Sequence, residues 1–479
     1  MRPVPALEVR NLTFRYYENG KKNIVDDLSL TVEAGSTTVI LGSSGCGKST
    51  FASVCAGLYP ENGGFLESGE IELFGKPLSS LGHRERSGYY ALMFQNPDLQ
   101  FCMNTLRKEL IFCLENICTP PEDMDPQIER VASNLKVTDL LDRKFSTMSG
   151  EEKQKASLCC LIALGSRCIV LDEALANIDR ESAYEILEIL KKYSAGGGTI
   201  IAIDHLPQLW KDLATRYILM SDGCRIIEDN IRPEEFDSYK ELLRSEGVWG
   251  EYSGKAHTRG GETGFAITLK DFSVRKDPKD KMSGYLIKNS GVGFRKGRMT
   301  ALLGRSGIGK TTTFLSILKQ HPYEGKIEID GKDLRTIKER ELFKTVGIVF
   351  QNPADQFITQ KVAEEVMAGA SKTLTGEEIE KHLADYGLIK KEKYSPYMLS
   401  QGQQRRLAVL SVLLGDQKIL LLDEPTYGQD LSSTEAIMRQ LEAKVENEGL
   451  TVIFITHDGE LAEKWADDIV RIENGGFVS

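Results

Sequence analysis

LGSSGCGKST (residues 41–50) returns as LGRSGIGKTT (303–312). Both fit G-x-x-x-x-G-K-[ST], each after a short apolar run and before a stretch of helical character. In such a loop the glycines let successive backbone N–H groups curl around phosphate oxygens. The following helix points its positive end at the same anion. The candidate phosphate-binding residues are Gly42, Ser43, Ser44, Gly45, Cys46, Gly47, Lys48, Ser49 and Thr50. Their counterparts are Gly304, Arg305, Ser306, Gly307, Ile308, Gly309, Lys310, Thr311 and Thr312. Lys48 and Lys310 are expected to bridge β- and γ-phosphates, and the hydroxyls of Ser49 and Thr311 to ligate Mg²⁺.

The loop is one of five matches that recur in the same order. MFQNPDLQF (93–101) returns as VFQNPADQF (349–357), and MSGEEKQ (148–154) answers LSQGQQR (399–405). IVLDE (169–173) answers LLLDE (420–424), and IDHL (203–206) answers ITHD (455–458). Lys48 and Lys310 stand 262 positions apart, Asp172 and Asp423 251, His205 and His457 252. A nearly constant offset means one domain written twice. The expected division is domain 1 over 1–236, a linker over 237–264 and domain 2 over 265–479. Glycine and polar residues in WGEYSGKAHTRGGETG (249–264) suit a connector. LEVRNLTF (7–14) and ITLKDFSV (267–274) alternate as matching opening strands. The apolar runs that end in DE suit central parallel strands with ligand chemistry at their carboxyl ends. Residues 98–148 and 354–398 read as a helical insertion between core strands.

Asp172 and Asp423, at strand ends, are placed to hold Mg²⁺. Glu173 and Glu424, one position on, can reach the γ-phosphate side and orient or deprotonate the attacking water. His205 and His457 each follow an apolar strand and can donate to the γ-phosphate. Gln95 and Gln351, in identical FQNP settings, can touch both Mg²⁺ and water at the mouth of the insertion. A lone DE pair would more often cap a helix, and a lone histidine would more often be a core residue. It is the doubling in matched order that favours chemistry.

Bulk properties narrow the setting. The net charge of -10 argues against nucleic acid as a partner. All nine cysteines fall between Cys46 and Cys224 without metal-ligand spacing, and read as reduced, mostly buried thiols of a cytosolic protein. MRPVPALEVR carries no apolar signal core, and no run of about 18 apolar residues occurs. Any membrane-spanning part is expected on another chain.

Taken together the motifs resemble the ATP-binding subunits of ABC transporters over nearly the whole chain. The discriminating element is the serine-glycine signature, here MSGEEKQ and LSQGQQR. The resemblance implies an α/β fold of two tandem ABC-type P-loop NTPase domains, each a mixed sheet core with a helical insertion and an antiparallel β subdomain. It implies ATP and Mg²⁺ as ligands and an intramolecular pseudo-dimer. Ser149 and Gly150 of one copy, and Ser400, Gly402 and Gln403 of the other, would meet the nucleotide held by the opposite copy. Asp179 and Asp430 match the aspartates of the loops after DE, and Tyr16 matches the aromatic that stacks on adenine.

A narrower likeness is carried by QNPDLQF with LRKELIFCLEN (106–116), QNPADQF with VAEEV (362–366), and DEPTYGQD (423–430). These look like the ATPases of energy-coupling-factor importers of vitamins or transition-metal ions, thiamine-related uptake among them. That implies an integral membrane scaffold subunit, a separate substrate-capture membrane subunit, and a place on the cytoplasmic face of the membrane. The rival readings are a fused ATPase of a sugar or other solute importer, and a soluble double ABC protein acting on ribosomes or DNA.

The copies differ. Lys276 stands where Tyr16 would align, with Tyr285 as a possible substitute and Tyr17 as a fallback in the first copy. Glu151 and Glu152 replace the glycine and glutamine of the signature, carboxylates that repel a triphosphate. ALANID (174–179) lacks the proline of EPTYGQD. The site built on Lys48, Glu173, His205 and Tyr16 with Ser400 is expected to turn over faster than the one built on Lys310, Glu424 and His457 with Ser149.

Overall fold

The computed structural model describes residues 3–20, 22–175, 180–254, 264–277 and 284–478. The chain divides into two units, Met1–Gly250 and Glu251–Ser479.

In the first unit the phosphate loop grows out of a six-stranded sheet. Its strand order is Arg225–Ile231, Arg216–Ser221, Thr37–Gly42, Thr199–Ile203, Cys168–Asp172, Tyr90–Met93. All neighbours are parallel except the outermost pair, Arg225–Ile231 against Arg216–Ser221. The central strands are buried along their whole length because both faces are covered. Alternate residues feed two cores: Ile40, Val170 and Ile201 pack on one side with Phe51, and Val39, Ile169 and Ile200 on the other with Leu187. A second, antiparallel sheet runs Val25–Val32, Leu7–Arg15, Phe65–Leu73, Lys76–Pro77. The expected antiparallel subdomain is this sheet, and Leu7–Arg15 is its opening strand.

The insertion holds the helices Leu106–Asn116 and Pro121–Asn134, which pack on the helix Gly150–Ala163 that the signature opens. Leu106, Leu110, Ile128, Val131 and Ala156 make its separate core.

The second unit repeats the plan. Its six-stranded sheet runs Val346–Val349, Ile419–Asp423, Thr451–Ile455, Met299–Leu303, Asp468–Glu473, Gly476–Val478. Its antiparallel sheet runs Tyr285–Arg295, Phe265–Arg275, Glu324–Ile329, Lys332–Asp333. The insertion holds the helices Val362–Gly369 and Gly376–Asp385, followed by Gln401–Leu413.

The expected linker needs correction at both ends. Residues from 237 onward belong to the first unit: Phe236, Leu243 and Val248 are buried in its core, with Tyr239 and Trp249 packed against them. The polar surface of RPEEFDSYKELLRSEGVW hides an apolar residue about once per turn, enough to pin it down. At the other end Tyr252 is tied to the second unit by donating to Asp458 at 2.7 Å. Within the expected linker, 255–263 lie outside the described residues. Among the described residues no helix is long and apolar enough to cross a membrane. All nine cysteines are free thiols, six of them buried.

Candidate functional site

Each phosphate loop joins the end of a central strand to a helix that begins at its lysine, Lys48–Cys55 and Lys310–Ile317. Gly47 and Gly309 cap these helices at φ 113°. A Cβ on Gly47 would stand 2.5 Å from the Ile24 carbonyl, so this position excludes other residues on conformation and on space. Gly45 and Gly307 are the opposite case. They too have positive φ, yet nothing lies within 4 Å of where a Cβ would point, which makes the loop an open cradle. Both lysines arch back over their own loop. Lys48 Nζ donates to Gly42 O at 2.7 Å and Ser43 O at 3.0 Å, and Lys310 Nζ to Gly304 O at 2.7 Å and Arg305 O at 3.0 Å.

The hydroxyls assigned to the metal lie against the strand-end aspartates. Ser49 Oγ donates to Asp172 at 3.0 Å and Thr311 Oγ1 to Asp423 at 2.6 Å. Burial, and then the neighbouring Glu173 carboxylate, hold the Asp172 carboxyl above the usual range. Burial raises Asp423, and burial followed by Asp423 raises Glu424. Such buried acids favour a cation partner. Among the described residues no three His, Cys, Asp or Glu side chains group as a metal cage. A hydroxyl, one carboxylate and an open phosphate cradle are instead the donors that suit Mg²⁺ bound together with a triphosphate. The residues present therefore fit both groups.

The two glutamates are held differently. Both have left-handed backbones, Glu173 at φ 51° and Glu424 at φ 52°. The Glu173 carboxylate is gripped from two sides, by His205 Nε2 at 2.9 Å and by the Gln95 amide. Glu424 Oε1 has no hydrogen bond; His457 Nε2 lies 3.3 Å away, poorly aimed, and also 3.4 Å from Lys310 Nζ. The Gln351 side chain is exposed, so the structure does not reproduce on Glu424 the contact Gln95 makes on Glu173.

The histidine loops are built from exchanged parts. In the first unit buried Asp204 accepts from the backbones of His205 at 2.7 Å and Leu206 at 2.9 Å, and from Trp210 Nε1 at 2.9 Å. In the second, Thr456 precedes the histidine and Asp458, after it, caps the next helix.

Tyr16, the expected adenine platform, stands beside the helix that the first phosphate loop opens. Its hydroxyl meets Thr50 Oγ1 at 2.7 Å, and its ring lies edge-on to Phe14 and Tyr59. Tyr17 is more exposed, at 59 % against 42 %. Tyr285 is already engaged: Arg275 lies 4.0 Å over its ring and its hydroxyl donates to Glu324.

Both signature serines close capping boxes on their own helices. Ser149 Oγ accepts from Glu152 N at 3.2 Å, and Ser400 Oγ from Gln403 N at 3.3 Å. This alters the view of Glu152. Its carboxylate is taken up by the Ser149 backbone at 2.8 Å and by both arms of Arg143, at 2.7 and 3.1 Å. It is a neutralised cap, not a bare charge aimed at phosphate. A Cβ on Gly402 would meet the Gln429 amide at 3.0 Å, so a larger residue there would have to displace that side chain slightly. Asp430 caps the helix Leu431–Glu448, accepting from Ser433 N at 2.7 Å. Its counterpart Asp179 lies outside the described residues.

Three sets of residues went unassigned in the sequence. Gln100 and Gln356, the last glutamines of QNPDLQF and QNPADQF, bind the glutamine loop to the signature helix through Ser157 at 3.0 Å and Ser411 at 3.3 Å. Buried Glu109 and Glu365 each accept two backbone N–H groups of the segment that follows the glutamine loop. Arg405 is buried among backbone carbonyls. The signal for the first two was their recurrence in both copies.

The ABC transporter family model matches residues 25–176 and 287–427. The "Putative HMP/thiamine import ATP-binding protein YkoD" of Bacillus subtilis (strain 168) is 34% identical over 498 residues, covering 98% of this chain and 90% of that protein. Among solved structures, "RNase-L Inhibitor" aligns at TM-score 0.64 and 19% identity, over 98% of this chain and 90% of that one. An archaeal ribosome recycling factor, aABCE1, solved with the ribosomal stalk protein aP1, aligns at 0.63 and 19%, over 98% and 89%. At that identity these two show a shared double-domain fold. The family match falls on both phosphate loops, both signatures and both DE strands, and the chain belongs to the ABC transporter family as an ATPase with two tandem ATP-binding domains.

Proposed function

We propose that the chain hydrolyses ATP at both phosphate loops to drive an energy-coupling-factor type importer of a vitamin or transition-metal ion. The proposed setting is the cytoplasmic face of the membrane, with an integral scaffold subunit and a separate substrate-capture subunit.

In the proposed mechanism the backbone amides of 43–48 and 305–310 cradle the phosphates, while Lys48 and Lys310 swing from their loop carbonyls to the β- and γ-phosphates. Mg²⁺, when bound, neutralises charge on the phosphate oxygens; Ser49 with Asp172, Thr311 with Asp423, and Gln95 and Gln351 would hold it. Glu173 and Glu424 orient the attacking water and take its proton, and His205 and His457 steady the γ-phosphate. Ser149 and Ser400, with the helix ends they open, are assigned to the nucleotide held by the opposite copy.

The observation that carries the transport reading is the apolar surface beside each glutamine loop. Leu99 is 76% exposed and Ile358 81%, in segments fastened to the site by Gln100, Gln356 and Glu365. Single exposed residues need no cause, but these stand where nucleotide-dependent motion would leave the domain. The name of the Bacillus relative supports import of a thiamine-related solute. The test is affinity purification from detergent-solubilised membranes. Co-purifying integral membrane proteins support the proposal; ribosomes in their place refute it.

A further inference from the structure

Arg405 is 1% exposed, yet among the described residues no carboxylate is hydrogen-bonded to its guanidinium. Its Nη1 donates to Glu424 O at 2.6 Å and, more weakly, to Asp423 O at 3.4 Å; its Nη2 donates to Gln351 O at 2.6 Å. The Tyr427 ring lies 4.8 Å beneath the plane. Burying a cation is costly unless its donors are satisfied. Here the fork ties three segments together: the signature helix that carries it, the strand end that bears the catalytic carboxylates, and the glutamine loop.

The aligned residue of the first unit is Gln154, also buried, whose Oε1 has no partner. That unit lacks the clamp, and it needs it less. Glu173 is held at its carboxylate by His205 and Gln95. The Glu424 carboxylate is held by the His457 backbone N–H with the His457 ring 3.3 Å away, and among the described residues no glutamine amide reaches it, although its backbone has the same strained left-handed conformation. The two copies thus add different grips to the same glutamate: a second side chain, Gln95, on the carboxylate in the first unit, and Arg405 on the peptide carbonyl in the second.

We propose that Arg405 is a positioning residue for hydrolysis in the second unit, holding the Glu424 peptide and the Gln351 loop in register. The inference rests on the reading of both loops as ATP-hydrolysing sites. The Glu424 and Gln351 carbonyls are reached by two separate Nη atoms of one rigid plane, a placement the single flexible ammonium of a lysine does not reproduce, so the fork itself is what matters.

The experiment uses the full chain with a protease site placed between the units. Orthovanadate and photoactivatable 8-azido-ATP label whichever unit has turned over, and cleavage separates the labels. Arg405→Gln, which installs the residue of the first unit, is expected to cut labelling of the second unit at least fivefold. Labelling of the first unit and the KM for ATP should stay within about twofold. Arg405→Lys keeps the charge and should recover less than half of the loss. If Arg405→Gln lowers the melting temperature too far to assay, Arg405→Lys gives the result by itself, with the same selective loss expected. Equal labelling of both units, or full activity of Arg405→Lys, overturns the inference. A wild-type chain that hydrolyses no ATP overturns the underlying reading instead.

Discussion

Glu173 and Glu424 show how far one residue type is defined by what surrounds it, and other residues carry the same lesson in measurable form. Burial holds Asp204 above the usual carboxylate range, against the pull of its bonds to Trp210 and Leu206. The folded protein therefore keeps a proton there that the unfolded chain releases above about pH 4, so this group makes stability fall as pH rises toward the folded value. Asp204→Asn should flatten that decline, read as the urea midpoint at pH 4.5 and at pH 7.5; an unchanged slope would mean the carboxyl is not protonated in the fold. The thiols give a second test. Burial pushes Cys159 up to about 12 and raises Cys55, Cys168 and Cys224 as well, whereas Cys102 and Cys118 are exposed. At pH 8 an aromatic disulfide reagent should modify Cys102 and Cys118 rapidly in the native protein, with the six buried thiols reacting only on unfolding.

The elements that bring chemistry to the site were legible wherever a motif fixed a backbone shape. The loop–helix junctions at Lys48 and Lys310, the strands ending at Asp172 and Asp423, and the signature helices follow from glycine spacing, apolar runs and a capping serine. What stayed hidden depends on partners remote in sequence. Nothing near Glu152 announces that Arg143 will neutralise it, and nothing near Gln356 announces Ser411. The pair Arg143–Glu152 is about one-third exposed on each side, so Glu152→Gln should cost about 1 kcal/mol or less. Gln403 already fills that cap in the other copy. Gln356→Ala should cost more, about 1–3 kcal/mol in denaturant unfolding, because it strands the Phe350 amide and removes the tie to the signature helix at Ala408 and Ser411. The helical segment to Gly250 was misjudged as linker for a related reason: its apolar residues are few, and only the packed sheet edge shows that Phe236, Leu243 and Val248 all face inward.

At the scale of the whole molecule the duplication was plain, because five motifs recur in order, but the inequality of the copies was only half visible. Substitutions in the signature and at Tyr16 could be read directly. That Glu173 is held by two side chains while Glu424 relies on Arg405 could not, since both glutamates sit in near-identical DE sequences. The firmer grip on Glu173, with Tyr16 beside Thr50, favours the site built on Lys48 as the faster one. The most direct measurement is steady-state ATPase of the full chain carrying Glu173→Gln or Glu424→Gln. Removing a general base costs about 10²–10⁴-fold at its own site. Glu173→Gln should therefore abolish most of the turnover, and Glu424→Gln should leave the larger share. Equal losses, or the greater loss in Glu424→Gln, would contradict a division of labour between the two sites.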